Sequence, residues 1–158
     1  MSGDTDPVDP LALNNQLCFS VYSTAHAFTR LYTELLGRLD VTYTQYLVLL
    51  VLWEREGLTV REIGERLTLD SGTLTPLLRR LEQAGYVRRE RSSVDQRRVH
   101  VYLTEQGRAA RPDIEQVRRR VFAATGRTEA ELRALQQELE QLRAALDAAA
   151  EDPSLAQP

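Results

Sequence analysis

The chain has 158 residues, 42% hydrophobic and 27% charged, with a net charge of −3 and a single cysteine. That length suits one domain with a real core and disfavours a second independent one. No run of about 18 apolar residues is present to cross a bilayer, and Asp4, Asp6 and Asp9 stand where a secretory signal needs a basic region, so the expected setting is the cytoplasm.

Residues 1–9 read as a disordered leader, polar and acidic with Pro7. Asp9-Pro10 then has the form of a helix cap followed by proline at the first helical position, predicting one long helix to about Arg38. Along it Leu17, Val21, Thr24, Phe28, Leu31 and Leu35 step by four and three, and Cys18, Tyr22, Ala25, Tyr32 and Leu36 form the adjoining stripe. So wide an apolar band has to be covered by something. A second helix, from about Thr44 to Glu56, is apolar almost all round and belongs in the core.

Thr59-Val60-Arg61-Glu62 is a capping box opening a short helix through Leu67. After Leu69 and Asp70 a further helix begins, with Leu74, Leu77, Leu78 and Leu81 on one face. Its other face carries Thr73, Pro76, Arg79, Arg80 and Gln83, and Asp70 or Ser71 caps it while Gly72 leaves the backbone amides uncovered. Exposed amides and hydroxyls at a helix N-terminus suit phosphate oxygens and base edges, and Arg suits guanine or phosphate. Two helices joined by a turn of about three residues, the second basic, form a helix-turn-helix.

Beyond Gly85 the period falls from 3.6 to 2. Val87, Arg89 and Arg91 lead out, Val99, Val101 and Leu103 lead back, and a polar loop over residues 92–97 joins them. This is a β-hairpin wing, with Arg97 at the tip suited to the negative potential of a narrow minor groove. Asp95 has two readings, a salt-bridge partner that holds a neighbouring Arg or a solvated turn carboxylate. Residues 71–98 hold seven Arg against Glu82, Glu90 and Asp95, a local surplus of +4, whereas residues 128–152 hold two Arg against seven acids, −5. That asymmetry says more about partners than the net charge does.

Thr104 caps a last pair of helices, the first running to about Ala124 with Pro112 inside it, where a kink or a free carbonyl is expected. Thr128-Glu129-Ala130-Glu131 is another capping box, and Leu132, Leu135, Leu139, Leu142 and Leu146 make a heptad seam behind it. The fold class expected is mainly α with a small β-hairpin wing. Residues 10–150 form one domain, with dimerisation helices at 10–40 and 104–150 and a winged helix-turn-helix lobe at 41–103; residues 151–158 are a frayed tail. The uncovered seams either pack within one chain or close a two-fold homodimer, which would set two recognition helices on a palindromic operator in double-stranded DNA.

The order of long helix, helix-turn-helix, a wing with Asp95-Gln96-Arg97-Arg98, and Leu103-Thr104-x-x-Gly107 resembles the MarR family of bacterial regulators over nearly the whole chain. Leu17-Cys18-Phe19, Thr42-Tyr43-Thr44-Gln45-Tyr46-Leu47 and residues 69–77 are similar to signature stretches of its organic-hydroperoxide-sensing branch, OhrR. Thr44 stands where that branch often has proline, a change expected to loosen the helix start carrying Tyr43. Face and resemblance together nominate Ser71, Gly72, Thr73, Thr75, Pro76, Arg79, Arg80, Asp95, Arg97 and Arg98 for DNA contact.

Cys18 has two readings: a small buried hydrophobe, or a reactive thiol served by the phenols of Tyr32 and Tyr43. Fourteen residues of helix separate Cys18 from Tyr32, about 21 Å, so within one straight helix they cannot touch. The resemblance implies that Tyr32 and Tyr43 of one chain bond Cys18 of the other. With the helix expected to begin near Pro10, Cys18 lies past its first turn, where the dipole helps only modestly. Organic hydroperoxide would convert the thiolate to a sulfenic acid. One cysteine allows no intrachain disulfide, so a small cellular thiol, an amide nitrogen or Cys18 of another subunit would resolve it; relatives with a second, resolving cysteine differ from this chain.

Three functions follow from this reading: a repressor released by oxidation of Cys18, a repressor released by a small aromatic or acidic ligand with Cys18 a packing residue, and a thiol peroxidase. The last is poorly supported, since no basic residue lies near Cys18 in sequence and His26 stands about 12 Å further along the helix. His26 and His100 are too few for a metal site, and neither a CxxC pair nor a Gly-rich phosphate loop is found, so no cofactor is expected.

Overall fold

The fold is described from a computed structural model, in which residues 9–152 and 154 are described. Residues 1–8 of the expected leader, and Pro153 with residues 155–158 of the expected tail, lie outside them. Contacts divide the chain into two units, Met1–Arg118 and Arg119–Pro158.

The first long helix, α1 (Leu17–Leu36), starts later than Asp9-Pro10 suggests. Polar side chains upstream turn back on the backbone: Asn15 donates to the Asp9 carbonyl and Gln16 to the Pro10 carbonyl. A 3-10 turn at Leu13–Asn15 forms instead of helix, and Gln16 becomes the N-cap. Cys18 is consequently the second residue of α1, inside its first turn and not beyond it.

Helix α2 (Tyr43–Glu54) begins one residue earlier than expected, because Thr42 and Gln45 form a capping box. The Thr42 amide donates to Gln45 Oε1 at 2.8 Å, which accounts for the one buried amide side chain in a helix otherwise lined by Val48, Leu49, Val51 and Leu52. Threonine at position 44 therefore leaves a well-capped start. A two-residue strand, β1 (Leu58–Thr59), follows and carries no periodicity long enough to be read from sequence.

Helices α3 (Val60–Leu67) and α4 (Ser71–Gln83) form the helix-turn-helix. Thr59 caps α3 through the expected box with Glu62, and Thr68 closes it in the left-handed region at φ 55°. The Leu69 amide then bonds the Gly64 carbonyl at 2.9 Å. A Cβ on Gly64 would sit 2.7 Å from the Leu69 carbonyl oxygen, so the tight turn needs glycine there. Leu74, Leu78 and Leu81 of α4 are fully buried, which fixes the orientation of its outer face.

The wing strands β2 (Val87–Arg91) and β3 (Val99–Leu103) pair antiparallel from Val87 opposite Leu103 to Arg91 opposite Val99, and β1 adds to the far side of β3. The Leu103-Thr104-x-x-Gly107 stretch has a packing cause. Thr104 caps α5 (Glu105–Ala109) by accepting from the Gly107 amide, and a Cβ on Gly107 would meet the Tyr86 carbonyl oxygen at 2.1 Å. The expected helix through Pro112 is broken at Ala110 into α5 and α6 (Arg111–Ala124), which puts the proline in a first turn where no amide proton is missed. Ile114 and Val117 of α6 are buried. In the second unit α7 (Glu129–Ala150) is capped by Thr128 and Glu131 as expected, and Leu135, Leu139 and Leu146 on its seam are exposed.

One ion pair ties the recognition helix to the wing. Glu82 accepts from the Arg89 amide at 2.9 Å and from its guanidinium at 2.9 and 2.6 Å, with both side chains about one-third exposed or less. These bonds, those from the Arg89 side chain first, hold the Glu82 carboxyl below its ordinary 4.5. A depressed carboxylate stabilises the fold above its unfolded value and loses that contribution as pH falls through the folded one. Glu82→Gln is expected to cost about 1 kcal/mol in urea unfolding at pH 7. The difference from wild type should shrink toward zero as pH falls through the range where the folded carboxyl protonates; a pH-independent difference would contradict the pairing.

Candidate functional site

Two sets of residues follow from this fold, one on the helix-turn-helix and wing and one along α1 and α2. On α4 the residues Ser71, Gly72, Thr73, Thr75, Pro76, Arg79 and Arg80 are all exposed, as burying Leu74, Leu78 and Leu81 requires. The start of the helix differs from expectation in one respect. Asp70 caps it, taking the Thr73 amide at 2.9 Å and the Thr73 hydroxyl at 2.7 Å, so that amide is covered by a carboxylate and not left bare. The Thr73 side-chain bond, then its amide, keeps Asp70 below the usual carboxylate range and therefore charged. Thr75 donates its hydroxyl to the Ser71 carbonyl at 2.8 Å. Both threonines thus spend their protons inside the chain and offer lone pairs outward.

At the wing tip Ser92 Oγ accepts from the amides of Val94 and Asp95, and Asp95 accepts from the Arg97 amide at 3.0 Å. The Asp95 carboxylate also pairs with Arg98 at 3.5 Å, which leaves Arg97 exposed at the turn. Between the wing and the starts of α3 and α4 lies a cleft of about 770 Å³. Its walls include Ser71, Thr75, Arg97 and Arg98 from the sequence reading, and Arg55, Arg61 and His100, which that reading missed. Arg61 was legible in principle as an exposed cation straight after a helix cap. His100 was not, because its ring engages the Gly57 carbonyl at 2.9 Å only once β1 has paired with β3.

The α1–α2 set divides into two separated parts. Cys18 is exposed in the first turn of α1. Tyr32 is buried near the other end of the helix, about 21 Å along it, with its ring centroid 5.0 Å from that of Tyr43. Burial first, and then the neighbouring Tyr32, pushes the Tyr43 phenol above its ordinary value. A third phenol missed from sequence, Tyr46, stacks on Tyr32 at 4.9 Å. One and two turns beyond Cys18 the same helix turns out Tyr22 and His26, edge to face at 4.3 Å. Among the described residues no group of three or more His, Cys, Asp or Glu side chains is placed to hold a metal ion, and no single helix is long and apolar enough to cross a membrane.

Known proteins share this architecture and sequence. The family profile described as Transcriptional regulator SarA/Rot matches residues 30–114. The HTH-type transcriptional regulator TtmR of Methylorubrum extorquens is 54% identical over 142 residues, 90% of this chain and 73% of that protein. The organic hydroperoxide resistance transcriptional regulator of Bacillus subtilis is 54% identical over 99 residues, 63% of this chain and 67% of its own. Among solved structures, AbfR of Staphylococcus epidermidis superposes with a TM-score of 0.72 at 36% identity, covering 87% of this chain and 93% of that one. AbfR has also been solved bound to DNA, both reduced and overoxidised. With this winged helix-turn-helix, these relatives and that profile, the chain belongs to the MarR-like family of transcriptional regulators, in its OhrR-like branch, a family of DNA-binding proteins and not of enzymes.

Proposed function

We propose that the protein is a homodimeric repressor that holds a palindromic operator and releases it when an organic hydroperoxide oxidises Cys18. The observation that carries this reading is the split site: an exposed lone thiol at one end of α1, and at the other the buried Tyr32 beside the half-buried Tyr43. A partner related by a two-fold axis brings the thiol of one chain to Tyr32 and Tyr43 of the other. Leu17, Val21, Tyr22 and Phe28 on α1 and the exposed leucines of α7 supply apolar surface for such a partner.

The chemistry is the same at each site. Placement in the first turn of α1 sets Cys18 near backbone N–H groups that lack helical acceptors. Phenol donors from the partner add hydrogen bonds to the thiolate form. The sulfur attacks one peroxide oxygen, an S–O bond forms as the O–O bond breaks, and the departing alkoxide takes a proton to leave as alcohol. Cys18 is then a sulfenic acid. The chain has no second cysteine for an intrachain disulfide, and the resolving group proposed is a small thiol, which condenses with the sulfenic acid to a mixed disulfide and water. AbfR has been solved on DNA in an overoxidised state and separately as a disulfide. The thiol therefore belongs in the assay.

On the DNA side α4 enters the major groove, with Ser71, Gly72, Thr73, Thr75, Pro76, Arg79 and Arg80 facing it, and Arg97 and Arg98 of the wing reach the adjacent minor groove or backbone. Asp95 holds the tip in shape. Arg97→Ala is expected to weaken operator binding about tenfold at physiological salt without changing thermal unfolding; unchanged affinity would remove the wing from the interface. The redox claim is tested by fluorescence anisotropy on DNA adjoining the gene, titrating an organic hydroperoxide with a small thiol present. Wild type should release and Cys18→Ser should hold. If both hold, the protein responds instead to a ligand and Cys18 is a packing residue.

A further inference from the structure

In B-form DNA one sugar-phosphate strand separates a major groove from the minor groove beside it. A protein that sets a recognition helix in the first and a wing tip at the second has to straddle that strand. In this chain the space between those two elements is the cleft of about 770 Å³, bounded by Ser71 and Thr75 of α4 and by Arg97 and Arg98 of the wing. Its other charged walls come from outside both elements. Arg55 follows the end of α2, and Arg61 and Glu62 lie in the first turn of α3. Four guanidinium groups and the His100 ring face one carboxylate there, in a chain whose net charge is −3.

The bonds already made decide which of these groups can take a ligand. Glu62 is engaged by the α3 cap, its carboxylate accepting from the Thr59 amide and hydroxyl, each at 2.7 Å. Arg55 is exposed and has no ion pair or side-chain hydrogen bond among the described residues. Arg61 pairs through Nε with Glu65 at 2.8 Å, but its side chain is 86% exposed, so the pair is weak and the terminal nitrogens remain for another acceptor. His100 has a different task. Its Nδ1 meets the Gly57 carbonyl at 2.9 Å, and because a carbonyl only accepts, the ring donates. The Gly57 amide in turn donates to the Val101 carbonyl at 2.9 Å. These two bonds hold the backbone two residues after Arg55 against β3, and so fix Arg55 relative to the wing.

Resting on the operator reading above, though not on its redox half, we propose that Arg55 and Arg61 grip phosphates of the operator strand that runs through this cleft. They carry no base preference. The recognition helix reads the sequence, and these two guanidinium groups set the depth and register of the strand beside it.

The test is DNA binding by fluorescence anisotropy across a series of salt concentrations, with the full reduced protein. The probes are DNA adjoining the gene and an unrelated duplex of the same length. Variants are Arg55→Gln, Arg61→Gln and, as a control on α7, Arg133→Gln; melting temperatures report separately on folding. Each cleft variant is expected to weaken both duplexes by a similar factor. Each should also reduce the steepness of log affinity against log salt by about 0.9 for every subunit bound. Arg133→Gln should keep the wild-type slope. A wild-type slope in either cleft variant overturns the grip, and so does weakening confined to the operator, which marks a base contact. Release of wild type by millimolar inorganic phosphate at constant ionic strength would make the cleft a site for a free anion, and overturns it too. Wild type that holds neither duplex overturns the operator reading itself, and this inference with it.

Discussion

A twenty-residue helix is a rigid spacer, and α1 keeps the two halves of the proposed sensor about 21 Å apart in any one chain. Nothing local can bring Cys18 to Tyr32. The same helix turns Leu17, Val21, Tyr22 and Phe28 outward. In the proposed sensor, a second copy packed along α1 answers both the separation of the halves and the exposure of the apolar face. In the proposed mechanism the stability of the dimer and the completeness of the sensor are therefore one property, and a change of charge or size at Cys18 is felt directly by the surface that holds the subunits together.

The DNA-facing elements are held by different means. Buried leucines set the recognition helix on its core, and the Glu82–Arg89 pair fastens the first wing strand to the last turn of that helix. The wing tip is shaped by Ser92 and Asp95, short side chains that bond to backbone amides and leave Arg97 outward. Specific geometry at the tip thus comes from polar local bonds, and orientation of the whole lobe comes from apolar burial.

Much of the fold was legible where a residue's chemistry acts over three or four positions. Thr59 with Glu62 and Thr128 with Glu131 mark helix starts by a reciprocal bond that depends on local spacing alone. The leucine stripe of α4 and the alternation of β2 and β3 follow from burial on one face. What escaped notice depends on partners distant in sequence or on competition between bonds. The two residues of β1 become a strand only beside β3. The start of α1 was misplaced because Asn15 and Gln16 turn onto upstream carbonyls, a choice invisible to a cap-and-proline rule. Tyr46 was hidden inside an apolar run, where the ring fits the pattern and only its stacking on Tyr32 sets it apart.

The central claim is that each sensor is completed across the subunit boundary, and mixed dimers test it most directly. One subunit would carry Cys18→Ser with its tyrosines intact, the other Tyr32→Phe and Tyr43→Phe with its cysteine intact. A site shared between chains is whole once in the mixed dimer and in neither parent. The account predicts that the mixed dimer regains the fast reaction of Cys18 with organic hydroperoxide that both parents lack. A mixed dimer as slow as the tyrosine-deficient parent would contradict it.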